Sequence, residues 1–213
     1  MLNELLNFFG RAICHQIDAR SLHISGEVMA VCARDTGIYI GIFSTLIYLH
    51  FSKQKQNVTI PSIKISFLLL LFLVPLIIDG LGSYTQLFDS NNTRRLMTGI
   101  SFGFVLPYFI YPLLSKKSVE LGSVPVINKS YDFLVPLAGS VILGGLVYVG
   151  QPSHLVLNTF IIVTVIAWFS ILASFLFPFI LRLKIKLLVS LIASLAFLSF
   201  LSIIHISILS LSL

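Results

Sequence analysis

The sequence predicts an all-α membrane protein: a polytopic helix bundle with about six transmembrane helices and a short N-terminal interfacial helix. Composition is the first observation, because 57% of the 213 residues are hydrophobic, only 10% are charged, and mean hydropathy is +1.00. A soluble domain of this size carries about a quarter charged residues. The second observation is that six segments stay mainly apolar over about 20 residues, which is the length that crosses a bilayer.

The predicted elements follow the chain in order. The apolar run from Leu5 to Phe9 is too short for a cleavable signal peptide. We therefore interpret Met1 to Ile13 as a short amphipathic or interfacial helix. The six predicted spans cover roughly residues 30–51, 64–82, 96–115, 131–150, 155–180 and 187–211. The first is the most polar, since it contains Arg34 and Asp35.

Short connections, three of them marked by Pro61, Pro125 and Pro152, predict a single transmembrane domain over residues 1–213. Its polar motifs occupy residues 14–103, and its last three helices occupy residues 131–213. The net charge of +6 does not indicate nucleic acid binding, because no soluble stretch is long enough to form a basic domain. Membrane lipid is the expected partner, and the oligomeric state stays open.

The basic residues predict the orientation. Six spans place the N-terminus, the second and fourth connections and the C-terminus on one side. Of the 14 lysines and arginines, five fall on that side and nine, including every lysine, on the other. The five are Arg11, Arg20, Arg34, Arg94 and Arg95, and the nine are Lys53, Lys55, Lys64, Lys116, Lys117, Lys129, Arg182, Lys184 and Lys186. The positive-inside rule makes the lysine side cytoplasmic and the arginine side extracytoplasmic.

A short internal repeat links the first and third predicted spans. The segment from Thr36 to Gly41 resembles the segment from Thr98 to Gly103, and each contains Gly-x-x-x-Gly shortly after an arginine. Glycines four apart allow close approach of two helix backbones in lipid. We therefore expect these two helices to run parallel and to pack tightly at one end.

Polar residues are densest in two stretches. The first holds Cys14-His15-Gln16, Arg20-Ser21, Gly26-Glu27 and Cys32-Ala33-Arg34-Asp35-Thr36-Gly37, and the second holds Asp79-Gly80, Gln86, Asn91-Asn92-Thr93-Arg94-Arg95 and Thr98-Gly99. Asp79 follows a long apolar run, and an ionised group there requires a partner. Arg94 or Arg95 is the expected partner. We expect residues 14–37 and 79–99 to form one site.

These motifs resemble a family of small prokaryotic membrane proteins known as a domain of unknown function, DUF2085. The resemblance is carried by Cys-His-Gln, Arg-Ser, Gly-Glu and Cys-Ala-Arg-x-Thr-Gly-Ile-Tyr-x-Gly, then by Asp-Gly, Gln and Asn-x-x-Arg-x-x-Thr-Gly-x-x-x-Gly. It spans roughly residues 14–103 and implies a shared polar site without an established activity. In the family pattern the position of Asp35 is usually cysteine, so this departure weakens a dithiol redox interpretation.

A metal site is the first functional hypothesis. Two sulfurs, a nitrogen and an oxygen make a plausible tetrahedral zinc set, and the candidate ligands are Cys14, His15, Cys32 and Asp35. His23, His154 or His205, on the same predicted face, could complete the shell. Two alternatives remain open: a Cys14–Cys32 disulfide on an oxidising outer face, and two thiols with a purely structural role.

An enzyme acting on a lipid or lipid-linked substrate is the second hypothesis. Arginines can hold a phosphate or carboxylate head group through bidentate hydrogen bonds, and a carboxylate can act as a general base. The candidate catalytic residues are Asp79, Glu27, Arg94 and Arg95, and the candidate substrate-binding residues are Arg20, Arg34, Gln86 and Asn92. One alternative is an ion-pair network around Asp79 that only locks the helices. A transporter is less favoured, since its ionisable groups usually lie near mid-bilayer.

Overall fold

The computed structural model describes residues 1–54, 56–114, 122–150, 152–178 and 182–211. Its helices are α1 (Leu2–Arg11), α2 (Ala33–Lys53), α3 (Ile63–Leu71), α4 (Val74–Tyr84), α5 (Asn92–Leu114), α6 (Tyr131–Val149), α7 (His154–Ala173) and α8 (Leu183–Leu211). Its strands are β1 (Ser21–Ile24), β2 (Glu27–Cys32), β3 (Val58–Thr59) and β4 (Val124–Pro125). The elements form two compact units, one of Met1–Cys32 with Gln151–Leu213 and one of Ala33–Gly150.

The predicted all-α membrane bundle is confirmed. Among the described residues, five helical segments are long and apolar enough to cross a membrane: Ile63–Tyr84, Asn92–Leu114, Tyr131–Val149, His154–Leu176 and Leu183–Ile208. They correspond to the last five predicted spans, with ends shifted by a few residues. The short N-terminal helix is α1.

The first predicted span, residues 30–51, corresponds to α2 and needs a correction at its start. Residues 30–32 belong to β2, because they pair in an antiparallel hairpin instead of extending the helix. The helix begins at Ala33 and is 21 residues long. Arg34, Asp35 and several hydroxyl residues make it less apolar than the five segments above. Its crossing of the membrane therefore stays a prediction.

The second predicted span is broken between α3 and α4. Pro75 lies in the first turn of α4 and has no backbone N–H to continue the hydrogen-bond ladder of α3. The Ser101 hydroxyl, from α5, donates a hydrogen bond of 2.5 Å to the carbonyl of Phe72 at the break. A neighbouring helix thus satisfies a carbonyl at the interruption, as an apolar environment requires.

The tight packing predicted for the repeated glycine motifs is present between α2 and α5. A Cβ added at Gly37 would collide with the backbone of Leu96, and one added at Gly99 would collide with the backbone of Arg34. Gly41 and Gly103 make the equivalent close approaches one turn later. Contacts advance along both helices together, so the helices run parallel. This pairing places the N-terminal turns of α2 and α5 beside each other.

A buried charge pair lies near the C-terminal end of α2. Asp132, at the start of α6, is fully buried and accepts bonds from Lys53 Nζ at 2.9 Å and Tyr48 Oη at 2.8 Å. Its second oxygen accepts the backbone N–H groups of Asn128 and Lys129, both at 3.0 Å. Every carboxylate oxygen therefore has two donors, which compensates the cost of burying the charge.

In the other unit, α1 packs on β2. A Cβ at Gly10 would collide with the Ala30 carbonyl, so only glycine permits this approach. The strands β1 and β2 form an antiparallel hairpin whose two turn residues, Ser25 and Gly26, both have positive φ, +53° and +81°. This is the backbone geometry of a two-residue hairpin turn. Asn158 of α7 accepts the Ala30 N–H at 2.9 Å and ties the hairpin to that helix.

The predicted orientation depends partly on charges that the structure does not describe. Lys55, Lys116, Lys117 and Glu120 lie outside the described residues. The placement of the lysine side in the cytoplasm therefore stays a prediction.

Candidate functional site

The two cysteines meet where the hairpin rejoins the N-terminal segment. Cys14 follows α1 and is buried, whereas Cys32 is the last residue of β2 and is partly exposed. The backbone N–H of Cys32 donates to Cys14 Sγ at 3.1 Å. The two sulfurs lie within 4.8 Å of each other, and neither cysteine of the described chain is in a disulfide. Such a spacing can accommodate two sulfurs sharing one zinc ion, which lie about 3.5–4 Å apart.

Local hydrogen bonds explain why Cys14 faces Cys32. The Gln16 amide donates to the carbonyl of Asn7 in α1 at 2.8 Å and to the carbonyl of Ala30 in β2 at 2.9 Å. Arg11 Nε donates to the other end of the same amide at 3.3 Å. Gln16 has φ +53°, a left-handed conformation that turns the chain sharply after Cys14. The Cys-His-Gln motif thus fastens the helix to the hairpin.

Asp35 is close to Cys32 along the chain. It lies in the first turn of α2, three residues after the cysteine, and is partly exposed. Strand β2 runs directly into α2, so no loop separates the thiol from the carboxylate. The Cys-x-x-Asp motif therefore supplies one sulfur and one oxygen within a single turn of chain.

His15, the fourth predicted metal ligand, lies outside this set. Its ring makes an edge contact with the ring of His205 in α8, with 4.9 Å between centroids. Of the other predicted histidines, His23 is 3.1 Å from Asp18. His154 Nδ1 is 2.9 Å from Glu27 Oε2 and its Nε2 is 3.0 Å from the Val28 carbonyl oxygen. Glu27, a predicted catalytic residue, thus helps to hold α7 on the hairpin.

Asp79 is the centre of a second cluster, in the Ala33–Gly150 unit. Its carboxylate is fully buried in α4. Arg34 Nη2 donates to one oxygen at 2.5 Å, and Arg94 Nε donates to the other at 3.2 Å. Ser90 Oγ donates to the same oxygen as Arg94, at 2.5 Å. The close packing of α2 on α5 brings the two arginines to one carboxylate, and Arg94 was one of its two predicted partners.

The remaining predicted residues occupy three different settings. Arg95 Nη1 donates to Asn92 Oδ1 at 3.1 Å within the first turn of α5. Gln86 is exposed in the loop after α4 with φ +57°. Arg20 is exposed at the end of the Asp18–Arg20 turn. The ion pairs recorded for Asp79 among the described residues are those with Arg34 and Arg94, and they do not involve these three side chains.

Sequence reasoning missed two participants in the Asp79 cluster. Ser90 completes the donors to the carboxylate, and the ring of Phe88 lies under Arg94, 4.2 Å from the guanidinium carbon to the ring centroid. Phe88 in turn packs on Gly82 of α4, where a Cβ would collide with the ring. Ser-x-Asn and single phenylalanines carry no recognisable signal, because the contacts depend on how the loop after α4 folds back.

Three donors on Asp79 determine what the carboxylate can do chemically. Both of its oxygens already accept charge-assisted or hydroxyl hydrogen bonds, which favours the ionised, paired form. Such a carboxylate holds helices together well and is poorly placed to accept a proton from a substrate. The arrangement favours the ion-pair interpretation of Asp79 over that of a general base.

Comparison with known proteins places these residues in a shared region. The family described as "Predicted membrane protein (DUF2085)" matches residues 14–109. An uncharacterised protein of Methanocaldococcus jannaschii is 38% identical over 101 residues, which are 47% of this chain and 63% of that relative. An uncharacterised protein of Methanothermobacter thermautotrophicus is 33% identical over 96 residues, 45% of this chain and 82% of the relative. No solved structure matches the chain.

Proposed function

The chain belongs to the DUF2085 family of predicted membrane proteins, and from the residues in its matched region we propose that it binds a zinc ion through Cys14 and Cys32. The third proposed ligand is Asp35. The proposed site lies at the extracytoplasmic face of the membrane, as the distribution of lysines and arginines indicates.

One observation carries the proposal: two thiols face each other across the end of the hairpin, within 4.8 Å, and one receives a backbone hydrogen bond. A thiolate is the form that binds zinc, and a donor to the sulfur stabilises its negative charge. The hairpin, Gly10 and Gln16 hold both thiols in place before any ion arrives. A preformed pair of ligands lowers the ordering cost of metal binding.

The ligand set also supports a catalytic use of the metal. Two sulfurs and one carboxylate oxygen would leave a fourth tetrahedral position for water or substrate, which is the pattern of catalytic zinc sites. A zinc ion so placed supplies a Lewis acid that polarises a substrate or activates water. We propose lipid or lipid-linked molecules as the substrate class, because membrane lipid is the expected partner of a protein of this family. The alternative is a metal or thiol pair that only stabilises the hairpin.

Metal analysis of the purified full-length protein tests the site. Zinc should be present at about one ion per chain in the wild type and should fall below about a tenth of that in Cys14→Ser and Cys32→Ser, because a hydroxyl is a far weaker zinc ligand than a thiolate. Asp35→Asn should retain less zinc than the wild type and more than the cysteine variants. His50→Gln, which changes an exposed histidine near the C-terminal end of α2, is the matched control and should keep the wild-type content.

Two results would overturn the zinc site. One is equal metal content in the wild type and both cysteine variants. The other is a wild type without metal whose intact mass under non-reducing conditions is lower by two hydrogens, which identifies a Cys14–Cys32 disulfide. Zinc content together with activity on lipid substrates separates binding from catalysis, since the first can hold while the second fails.

A further inference from the structure

An apolar groove runs along the membrane-facing side of the broken helix pair α3–α4 and ends at an arginine. Its volume is about 390 Å³, and its walls are Leu71, Val74, Pro75, Ile78, Arg94 and Thr98. Leu71, Val74 and Ile78 are 64%, 40% and 52% exposed, and they belong to a segment apolar enough to cross a membrane. In a bilayer such a surface contacts hydrocarbon chains.

Arg94 is held in place by contacts that involve only part of its guanidinium group. Its Nε is bound to Asp79, and its plane lies on the ring of Phe88. The side chain is still 45% exposed, and it lines the groove. The Arg34 Nε nearby is buried and has no hydrogen-bond partner in the described part of the chain. A buried donor of this kind calls for a water or an anion as its partner.

Aromatic residues place this end of the helices at the level of lipid head groups. Tyr84, the last residue of α4, is 83% exposed, and Tyr148 near the end of α6 is 49% exposed. The Tyr148 hydroxyl accepts a hydrogen bond from Thr93, the residue before Arg94, at 2.7 Å. Tyrosines with an apolar ring and a polar tip concentrate at membrane interfaces. The tyrosines therefore indicate that the Arg94 end of the groove lies at the depth where lipid phosphates are found.

We propose that this surface is a binding site for an anionic phospholipid. The Arg94 guanidinium binds the lipid phosphate, and one hydrocarbon chain lies in the groove along Leu71, Val74 and Ile78. The charge supports an anion, because Arg34 and Arg94 outnumber Asp79 and leave one positive charge in the cluster. Asp89, in the same loop, forms no ion pair with these arginines among the described residues. The lipid site is independent of the zinc proposal, because no cysteine takes part in it.

Titration of the full-length protein in detergent with phosphatidylglycerol tests the site, with bound lipid counted by native mass spectrometry. The wild type should bind phosphatidylglycerol more tightly than phosphatidylcholine. Arg94→Gln should weaken phosphatidylglycerol binding about tenfold, as expected for loss of a charge-assisted hydrogen bond. Arg182→Gln, which removes an exposed arginine just before α8, is the matched charge control and should change binding less than twofold.

A second variant tests the groove and separates a lipid from a free anion. Ile78→Trp fills the groove, so it should weaken binding of long-chain phosphatidylglycerol severalfold and leave the Asp79 ion pairs intact. Inorganic phosphate at millimolar concentration should compete poorly. If Arg94→Gln does not fold, Arg94→Lys keeps the charge but loses the bidentate fork, and it should weaken binding by an intermediate amount.

Three outcomes overturn the proposal. The first is unchanged lipid binding in Arg94→Gln or, where only the lysine variant folds, in Arg94→Lys. The second is an equal loss in Arg94→Gln and Arg182→Gln, which indicates general charge attraction. The third is unchanged binding in Ile78→Trp together with full competition by inorganic phosphate, which identifies a site for a free anion.

Discussion

At the scale of single residues, both buried carboxylates are explained by their donors. Asp79 has two arginines and a serine, and Asp132 has a lysine, a tyrosine and two backbone N–H groups. The need for a partner on Asp79 could be predicted, because an unpaired charge in a membrane helix is costly. The identity of the partners depends on tertiary packing. Asp132 follows several polar residues in the sequence, which is typical of an exposed aspartate in a loop. Its burial could therefore not be predicted.

The Asp132 network makes a prediction about stability. Asp132→Asn removes the counter-charge of Lys53, which is only 5% exposed, and should lower the free energy of unfolding by about 3 kcal/mol, because a buried charge left unpaired is strongly destabilising. Tyr48→Phe, the matched control, removes one hydrogen bond from the same carboxylate and should cost about 1 kcal/mol. Denaturation of the purified protein in detergent measures both changes.

The comparison with a double variant identifies the cause. Lys53→Met with Asp132→Asn removes both charges and should be more stable than Asp132→Asn alone. A double variant as unstable as the single one would show that packing or the backbone hydrogen bonds, not the unpaired lysine, account for the loss.

At the scale of helices and strands, the sequence predicts the apolar helices from their length and the packing of α2 on α5 from the glycine spacing. It does not predict which strands pair with each other. The last five spans agree with the predicted segments because about 20 apolar residues leave few alternatives to a helix. The close approach of α2 and α5 follows from glycines that lie four apart in both. The hairpin of β1 and β2 was missed, because its strands are short and its register depends on α1 and α7. The break at Phe72 was also missed, although Pro75 is its cause.

The glycines of the α2–α5 contact make a prediction about helix packing. Gly103→Ala places a Cβ against the Ile38 backbone and should lower stability by about 2–3 kcal/mol, because backbone cannot yield as a side chain can. Gly145→Ala is the matched control, since nothing lies within 4 Å of the added Cβ in α6. It should be neutral or stabilising by up to about 1 kcal/mol, as alanine favours helix over glycine. Thermal unfolding in detergent compares the two, and equal melting temperatures would contradict the close contact.

At the scale of the whole molecule, the family match and the polar residues coincide. The matched residues 14–109 contain the hairpin, both cysteines and the Asp79 cluster, whereas α6, α7 and α8 lie beyond the match. The proposed zinc and lipid sites therefore use residues of the matched region. Apolar helices run through both parts, so a long apolar segment does not by itself mark this region. Motif content, not hydropathy, was the signal that located it.

The number of membrane crossings makes the last prediction, since it depends on whether α2 spans. If α2 crosses together with the five apolar segments of the described residues, the six crossings predict that the two ends of the chain are on the same side. The charge distribution predicts that this side is extracytoplasmic. Alkaline phosphatase fused after Leu213 should therefore be active, green fluorescent protein at the same position should be dark, and a tag before Met1 should be accessible to protease from outside. A fusion after Lys129, between α5 and α6, is the control and should show the reverse pattern. Termini on opposite sides would mean that α2 does not cross, which its arginine, its aspartate and its lower hydropathy would then explain.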